Sequence, residues 1–117
     1  MQKLADKLKR AFKPGSKPER HSSDMAEADL EIIESAKPFT MTGRERLYAL
    51  IQAIRYVARH QIEGDVVECG VWKGGSMMAA AQALVQSGDT ARDLWLYDTF
   101  EGMPEPTAAD VSRKGEN

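Results

Sequence analysis

The stretch Val66-Val67-Glu68-Cys69-Gly70-Val71-Trp72-Lys73-Gly74-Gly75-Ser76 sets the tightest limit on what this chain can fold into. It opens as a nearly continuous apolar run, broken by Glu68 and Gly70, which fits a strand buried on both faces, as in a parallel sheet. The glycines then stop the strand, and Met77 to Val85 is apolar nearly all round, the pattern of a packed helix that Gly88 ends as its C′ residue. Leu94-Trp95-Leu96-Tyr97 reads as a second strand, closing on Asp98. Strand, glycine turn, helix and strand make one βαβ unit of about 30 residues. Its strands should be parallel neighbours joined by a right-handed crossover.

Two helices are expected before this unit. Asp24 can cap one running to about Ala36, with Ala28, Ile32 and Ala36 on one face, and Pro38 ends it. Thr42-Gly43-Arg44-Glu45 has the spacing of a capping box, and Leu47, Leu50, Ile51, Ile54, Val57 and Ala58 follow at intervals of three and four. That predicts an amphipathic helix to about His60, with Arg44, Arg55 and Arg59 largely on its other faces. Residues 1–23 read as a leader: Leu4, Leu8 and Phe12 form a narrow stripe on a basic helix before Pro14, Gly15 and Pro18. Three apolar side chains bury little area, so a short solvated helix or frayed terminus is the expectation there.

The chain has 117 residues, enough for one modest domain. Its 42% hydrophobic and 29% charged content is that of a globular protein rather than a disordered one. A formal net charge of −2 gives no electrostatic case for nucleic-acid binding. Cys69, the single cysteine, can form neither an intramolecular disulfide nor a zinc site. No apolar run approaches the roughly 20 residues that span a bilayer. The N-terminus also lacks the pattern of a secretory signal, so the location expected is the cytoplasm.

The glycines at the strand–helix junction allow a tight turn, and bare backbone at Gly74 and Gly75 would let a ligand approach a helix N-terminus. The spacing G-x-x-x-G-G departs from the dinucleotide fingerprint G-x-G-x-x-G, because Trp72 and Lys73 fill the places where a snug pyrophosphate seat would be. A nucleoside without phosphates suits it better, although a plain structural turn explains the glycines equally well. Asp98, at the carboxyl end of the second strand, is placed to accept hydrogen bonds from ribose hydroxyls or to cap the next helix. Glu68 puts a carboxylate in an apolar strand, which costs several kcal/mol unless it is paired. A cationic ligand group or backbone amides would serve as its partner.

These residues together resemble the macrocin O-methyltransferase family, of the TylF and MycF type. The resemblance rests on Phe39-Thr40-Met41-Thr42-Gly43 with Arg46-Leu47-Tyr48-Ala49-Leu50, on Gly64-Asp65 running into the glycine turn, on Gly88-Asp89-Thr90 with Arg92-Asp93-Leu94, and on Tyr97-Asp98-Thr99-Phe100-Glu101-Gly102-Met103. It implies a Rossmann-like class I methyltransferase that uses S-adenosyl-L-methionine and Mg²⁺ to methylate a hydroxyl of a sugar or sugar-bearing natural product. Carried over by residue, Met41 and Thr42 would lie against the cofactor. Glu68, Cys69, Gly70, Val71 and Trp72 would form the turn under its methionine part. Asp98 would take the ribose, with Thr99, Phe100, Glu101 and Gly102 completing that wall.

On this reading residues 1–23 are the leader, 24–63 a helical segment packing on the sheet, and 64–117 the first βαβ unit and following loop of the cofactor-binding domain. An open sheet of this kind uses about six strands, so further strands, the metal ligands and the catalytic base are expected beyond Asn117. Asp110 and Glu116 are expected to face solvent, and neither His21 nor His60 sits in a motif. No residue here is assigned a catalytic or metal-binding role. The rival readings are a catalytically inactive truncated piece, an interaction module built on the helices of residues 24–60, and a nucleotide-dependent oxidoreductase. The same helices also offer a surface for homo-oligomer assembly.

Overall fold

The structure, a computed structural model, describes residues 24–111. The expected leader and Glu116 lie outside the described residues. In chain order the elements are α1 (Glu27–Ala36), a single 3₁₀ turn (Lys37–Phe39), α2 (Arg44–Arg59), β1 (Val66–Cys69), α3 (Gly75–Gln86) and β2 (Leu94–Tyr97). The strands pair in parallel, Val66 opposite Leu94 and Cys69 opposite Tyr97, as the βαβ pattern requires.

Both expected helix starts need correction. α1 begins after Ala26, not Asp24, and α2 after Gly43; neither start has a side-chain cap. The amides of Asp29 and Leu30 bond Ala26 O instead. In place of a capping box, the Thr42 amide donates to Thr40 Oγ1 at 3.0 Å, which holds Thr42 in the preceding loop. Acidic residues in each first turn, Glu27 and Asp29 in α1 and Glu45 in α2, still complement the helix dipoles. Pro38 ends α1 as expected, and the chain tightens into the 3₁₀ turn that carries the proline near its start.

The C-terminal ends follow sequence logic more closely. Gly88, at φ +76°, takes the left-handed position after α3. Its amide bonds Val85 O while Asp89 N bonds Leu84 O, the paired pattern of a Schellman cap. α2 ends in the same pattern, Gln61 N to Ala58 O and Ile62 N to Val57 O, but with Gln61 rather than glycine at φ +52°.

The core is a three-helix contact laid on one face of the sheet. Ile32, Ile33 and Ala36 of α1, Leu47, Ile51 and Ile54 of α2, and Met77, Ala79, Ala80, Ala83 and Leu84 of α3 are buried together, with Val66 and Leu94 packed against them. The alternate strand residues Val67, Cys69, Trp95 and Tyr97 are exposed. Burial of β1 on both faces is therefore not what the described residues provide, because all three helices cover the same side. Nor does the outer side of α3 pack completely, since Met78 and Val85 are exposed.

A buried ion pair crosses this core. Asp29 of α1 is 4% exposed. It accepts from Arg55 Nη2 at 2.6 Å, Arg55 Nε at 3.1 Å and Gln52 Nε2 at 2.7 Å. Arg55 also reaches Gln86 Oε1 at 2.7 Å, so one guanidinium joins all three helices. The arginine face of α2 thus belongs partly to the interior. Removing one partner of such a pair leaves a charge uncompensated. Asp29→Ala should lower unfolding stability by about 3 kcal/mol in a denaturant titration; a loss below about 0.5 kcal/mol would show that the network contributes little.

Candidate functional site

The glycine turn is built by backbone conformation and close packing. Gly70 (φ +84°) and Gly74 (φ +81°) take left-handed conformations that favour glycine, and Gly74 is the N-cap of α3. Gly75 has another role. A Cβ there would lie 2.6 Å from the carbonyl carbon and oxygen of Phe39 and 2.7 Å from Thr40 Cβ. The space beside Gly75 is therefore filled by the Phe39 backbone and the Thr40 side chain and is not a ligand approach. Between the glycines, Trp72 stands at φ +52°, a conformation that costs a side-chain-bearing residue about 1–2 kcal/mol.

Asp98 ties the two strand ends together. Its Oδ2 accepts from Val71 N at 2.6 Å and, more weakly, from Trp72 N at 3.4 Å; its Oδ1 accepts from Phe100 N at 3.0 Å. These amide bonds, Phe100 first and Val71 next, hold its carboxyl below the ordinary carboxylate range. It caps two turns rather than a helix. Thr99 Oγ1 also reaches Oδ1 at 3.5 Å, so four donors already meet the roughly four lone-pair positions of this exposed carboxylate, two of them weakly.

Glu68 faces the helices. Its Oε2 is sealed from solvent with no hydrogen-bond partner, while the Ser76 hydroxyl bonds the carboxylate. Burial pushes its carboxyl above the usual range, and the Ser76 bond offsets that only in part. The carboxylate lines a cavity of about 290 Å³ whose other walls include Leu50, Val66, Ser76, Met77 and Ala80. An anionic oxygen without a partner, beside the free amides at the start of α3, suits a ligand with separate positive and negative groups.

The model of the family described as macrocin-O-methyltransferase (TylF) matches residues 7–117. The chain belongs to the macrocin O-methyltransferase family. It is 47% identical over 66 residues to the 8-demethyl-8-(2,3-dimethoxy-alpha-L-rhamnosyl)-tetracenomycin-C 4'-O-methyltransferase of Streptomyces olivaceus, covering 56% of this chain and 25% of that protein. It is 37% identical over 71 residues to the mycinamicin III 3''-O-methyltransferase of Micromonospora griseorubida, covering 61% of this chain and 28% of that one. With the demethyldecarbamoylnovobiocin O-methyltransferase of Streptomyces niveus it shares 34% identity over 70 residues, 60% of this chain and 27% of that protein. The matches thus span about a quarter of the length of these relatives. No solved structure matches the chain.

Of the residues that the family resemblance singles out, the structure joins Val71, Trp72, Asp98 and Phe100 directly, with Thr99 Oγ1 at 3.5 Å from Asp98 Oδ1. Thr99, Glu101 and Gly102 lie exposed in the bend that follows, with Glu101 N reaching Thr99 Oγ1 at 3.4 Å. Cys69 is a free, exposed thiol on the open sheet face. Met41 is 80% exposed, and Thr42 lines a separate depression between α1 and the start of α2. Phe39 and Thr40, not Met41 and Thr42, are what packs against the glycine turn. Sequence reasoning missed Ser76 as the partner of Glu68. The available signal was a hydroxyl in the first turn of a helix that starts beside the strand.

Two other family motifs prove structural. Arg92 donates to Asp89 Oδ2 at 2.9 Å, to Ile62 O at 2.8 Å and to Gly64 O, binding the end of α2 to the end of α3. Asp65 Oδ2 accepts from Trp95 Nε1 at 2.9 Å across the amino ends of the strands. His60 bonds Tyr56 O through Nδ1 at 2.9 Å and caps α2, and Asp110 is exposed in a turn with Thr107.

Two variants test this geometry. With the folded carboxyl of Glu68 raised above its ordinary 4.5, the folded chain binds that proton more tightly than the unfolded chain. Stability therefore falls as pH rises through the folded value. Glu68→Gln should be more stable than the parent at pH 7, with the difference closing below about pH 4.5; a pH-independent difference would refute the burial argument. Gly75→Ala should cost about 1–3 kcal/mol by overpacking the Phe39 backbone, measured as a drop in denaturation midpoint. An unchanged midpoint would mean that the 3₁₀ turn moves aside freely.

Proposed function

We propose that this chain is the cofactor-binding portion of an S-adenosyl-L-methionine-dependent O-methyltransferase whose acceptor is a hydroxyl on a sugar or sugar-bearing natural product. The observation that carries the reading is Glu68 Oε2, an unpartnered carboxylate oxygen sealed beside the glycine turn. S-adenosylmethionine has an ammonium and a sulfonium for such an oxygen, and a carboxylate for the amides of a helix N-terminus. The named activities of the relatives support the acceptor class. Helices and a parallel strand pair, with the proposed seat at the carboxyl ends of the strands, fit the first unit of a Rossmann-like sheet.

On this reading Glu68, Cys69, Gly70, Val71 and Trp72 underlie the methionine part, with Glu68 meeting its positive charge. Asp98 takes the ribose hydroxyls in place of its two long donors, Trp72 N at 3.4 Å and Thr99 Oγ1 at 3.5 Å, and Thr99, Phe100, Glu101 and Gly102 form the wall beyond. Met41 and Thr42 reach the cofactor only if their loop turns inward from its exposed position. When bound, S-adenosylmethionine supplies a methyl group activated by its sulfonium. The protein's part here is to hold that group in line with an acceptor oxygen. Mg²⁺ belongs to the proposal for the whole family protein: among the described residues no group of three or more His, Cys, Asp or Glu fits a metal. Among the same residues no helix is long and apolar enough to cross a membrane.

Isothermal calorimetry of the chain with S-adenosylhomocysteine and, separately, NAD tests the reading. Uptake of S-adenosylhomocysteine should be seen without uptake of NAD, and Glu68→Gln should weaken it about tenfold, the loss of one charged hydrogen bond. Uptake of NAD alone would assign the site to a nucleotide-dependent oxidoreductase. Uptake of neither would leave an inactive piece or an interaction module.

A further inference from the structure

The cavity beside Glu68 follows the free edge of β1. All four residues of the strand, Val66 to Cys69, line it, and no residue of β2 does. Side chains alternate between the faces of a strand, so four successive residues share a cavity only where it runs along the backbone. That places it on the edge of β1 that β2 leaves unpaired among the described residues. Its roof comes from the helices, Leu50 of α2 with Ser76, Met77 and Ala80 of α3. α3 runs back against the strand direction, so Ser76 stands by Glu68 at the carboxyl end and Ala80 lies one turn nearer the amino end. One end of the groove is thus polar and the other apolar.

The backbone on this edge presents unpaired donors and acceptors. Val66 N meets Asp93 O at 3.0 Å and Gly70 N meets Tyr97 O at 2.8 Å, so alternate residues from Val66 turn their amides to β2. By the same period of two, the N–H and C=O groups of Val67 and Cys69 face the groove. No turn, loop or cap bond among the described residues reaches them. Two donors and two acceptors at the strand repeat fit one kind of partner, another extended main chain.

We propose that the β1 edge is a docking site for an extended polypeptide strand from outside residues 1–117, whose helix-side residues are apolar and uncharged. The strand pairs with the Val67 and Cys69 backbone and sets its apolar side chains against Leu50, Met77 and Ala80, leaving the Glu68–Ser76 end open. Docking of this kind is independent of what occupies that polar end. Charge decides against a second copy of this chain. Antiparallel pairing of two β1 edges brings both Glu68 side chains onto the helix side of the joined sheet, directly or diagonally opposite each other, where like charges repel. An inward-pointing charge is one way in which an edge strand avoids such self-pairing. The β2 edge of a second copy would add head to tail instead, and that contact repeats into an open filament. The stretches of this chain outside the described residues lack the pattern as well: Leu4, Leu8 and Phe12 recur at a helical period, and residues 112–117 carry no apolar side chain.

Amide hydrogen exchange of the full chain, with and without the peptide acetyl-Lys-Thr-Val-Thr-Val-Thr-Lys-amide, tests the site. Without peptide, Val67 and Cys69 should exchange at least about tenfold faster than Glu68, whose amide is turned to β2. Saturating peptide should slow both about tenfold and leave the core amide of Ile51 unchanged. No slowing overturns the proposal. Methylation of the peptide nitrogens separates main-chain pairing from plain apolar binding, because only alternate amides of an added strand face β1. Of two peptides, one N-methylated at the valines and one at the threonines, one should lose the protection and the other keep it. Protection by both, or by neither, overturns the proposal. Val67→Pro removes a groove-facing amide without touching the β2 ladder, a change that edge strands tolerate. It should leave Ile51 protected and weaken the peptide about fivefold, the loss of one hydrogen bond; undiminished binding overturns the proposal. If this variant loses its fold, the methylated peptides still decide. Light scattering that grows with chain concentration and is abolished by Val67→Pro would assign the edge to a second copy and overturn the proposal too.

Discussion

The rest of the molecule depends on how closely α3 can be approached. Its inward face carries Gly75, Ala79, Ala80 and Ala83, all buried, and side chains that small let neighbouring backbones come near. Ile32 and Ile33 from α1 and Leu47 and Ile51 from α2 fill the space that these positions leave. The closest approach is at Gly75, where the Phe39 carbonyl leaves no room for a methyl group. Because α3 starts at the glycine turn, the same contact that packs the helices also fixes where the turn lies. Core and candidate site are thus set by one helix face.

Much of this was legible before the structure. The change from strand pattern to all-round apolar helix and back marked the βαβ unit with its parallel strands, and Gly88 marked the end of α3 because few other residues tolerate that backbone. Helix starts were less legible. Asp24 and Thr42 have the right chemistry for caps, but Asp29 is drawn inward by Arg55 and Thr42 is held by Thr40, so each helix begins at a different residue. The expectation of two-sided burial for β1 read hydrophobicity correctly, yet composition does not say which faces three helices will choose. Trp72 and Phe100 were beyond sequence reasoning for another reason: nothing in an aromatic residue announces positive φ, and for Trp72 the carboxylate that its amide meets comes from a distant position. Asp98 and Glu68 were identified as unusual from their places alone. Their partners, backbone amides for one and Ser76 for the other, required coordinates.

Glu68 and Asp98 show two opposite treatments of a carboxylate within one site. Asp98 is exposed and surrounded by amides, so its charge is favoured. Glu68 is partly withdrawn from water with one oxygen unmatched, so its charge is opposed. The first arrangement organises the turns in the absence of any ligand. The second leaves an unfavourable interaction that, on the proposed reading, a positively charged group would relieve on arrival, so that part of the affinity would come from strain already present in the free protein. Stability and recognition therefore make opposite demands at position 68.

The fastening of the strands is unequal from end to end. At their amino ends, Arg92 binds Ile62, Gly64 and Asp89, Asp65 binds Trp95, and Val66 N meets Asp93 O at 3.0 Å. At their carboxyl ends, side-chain fastening comes from Asp98 alone among the described residues, beside the backbone bond from Gly70 N to Tyr97 O at 2.8 Å. A sheet clamped at one end and lightly tied at the other concentrates its thermal amplitude at the lightly tied end. Ligand uptake there would damp fluctuations locally, and its entropic cost would not spread into the clamped half of the unit.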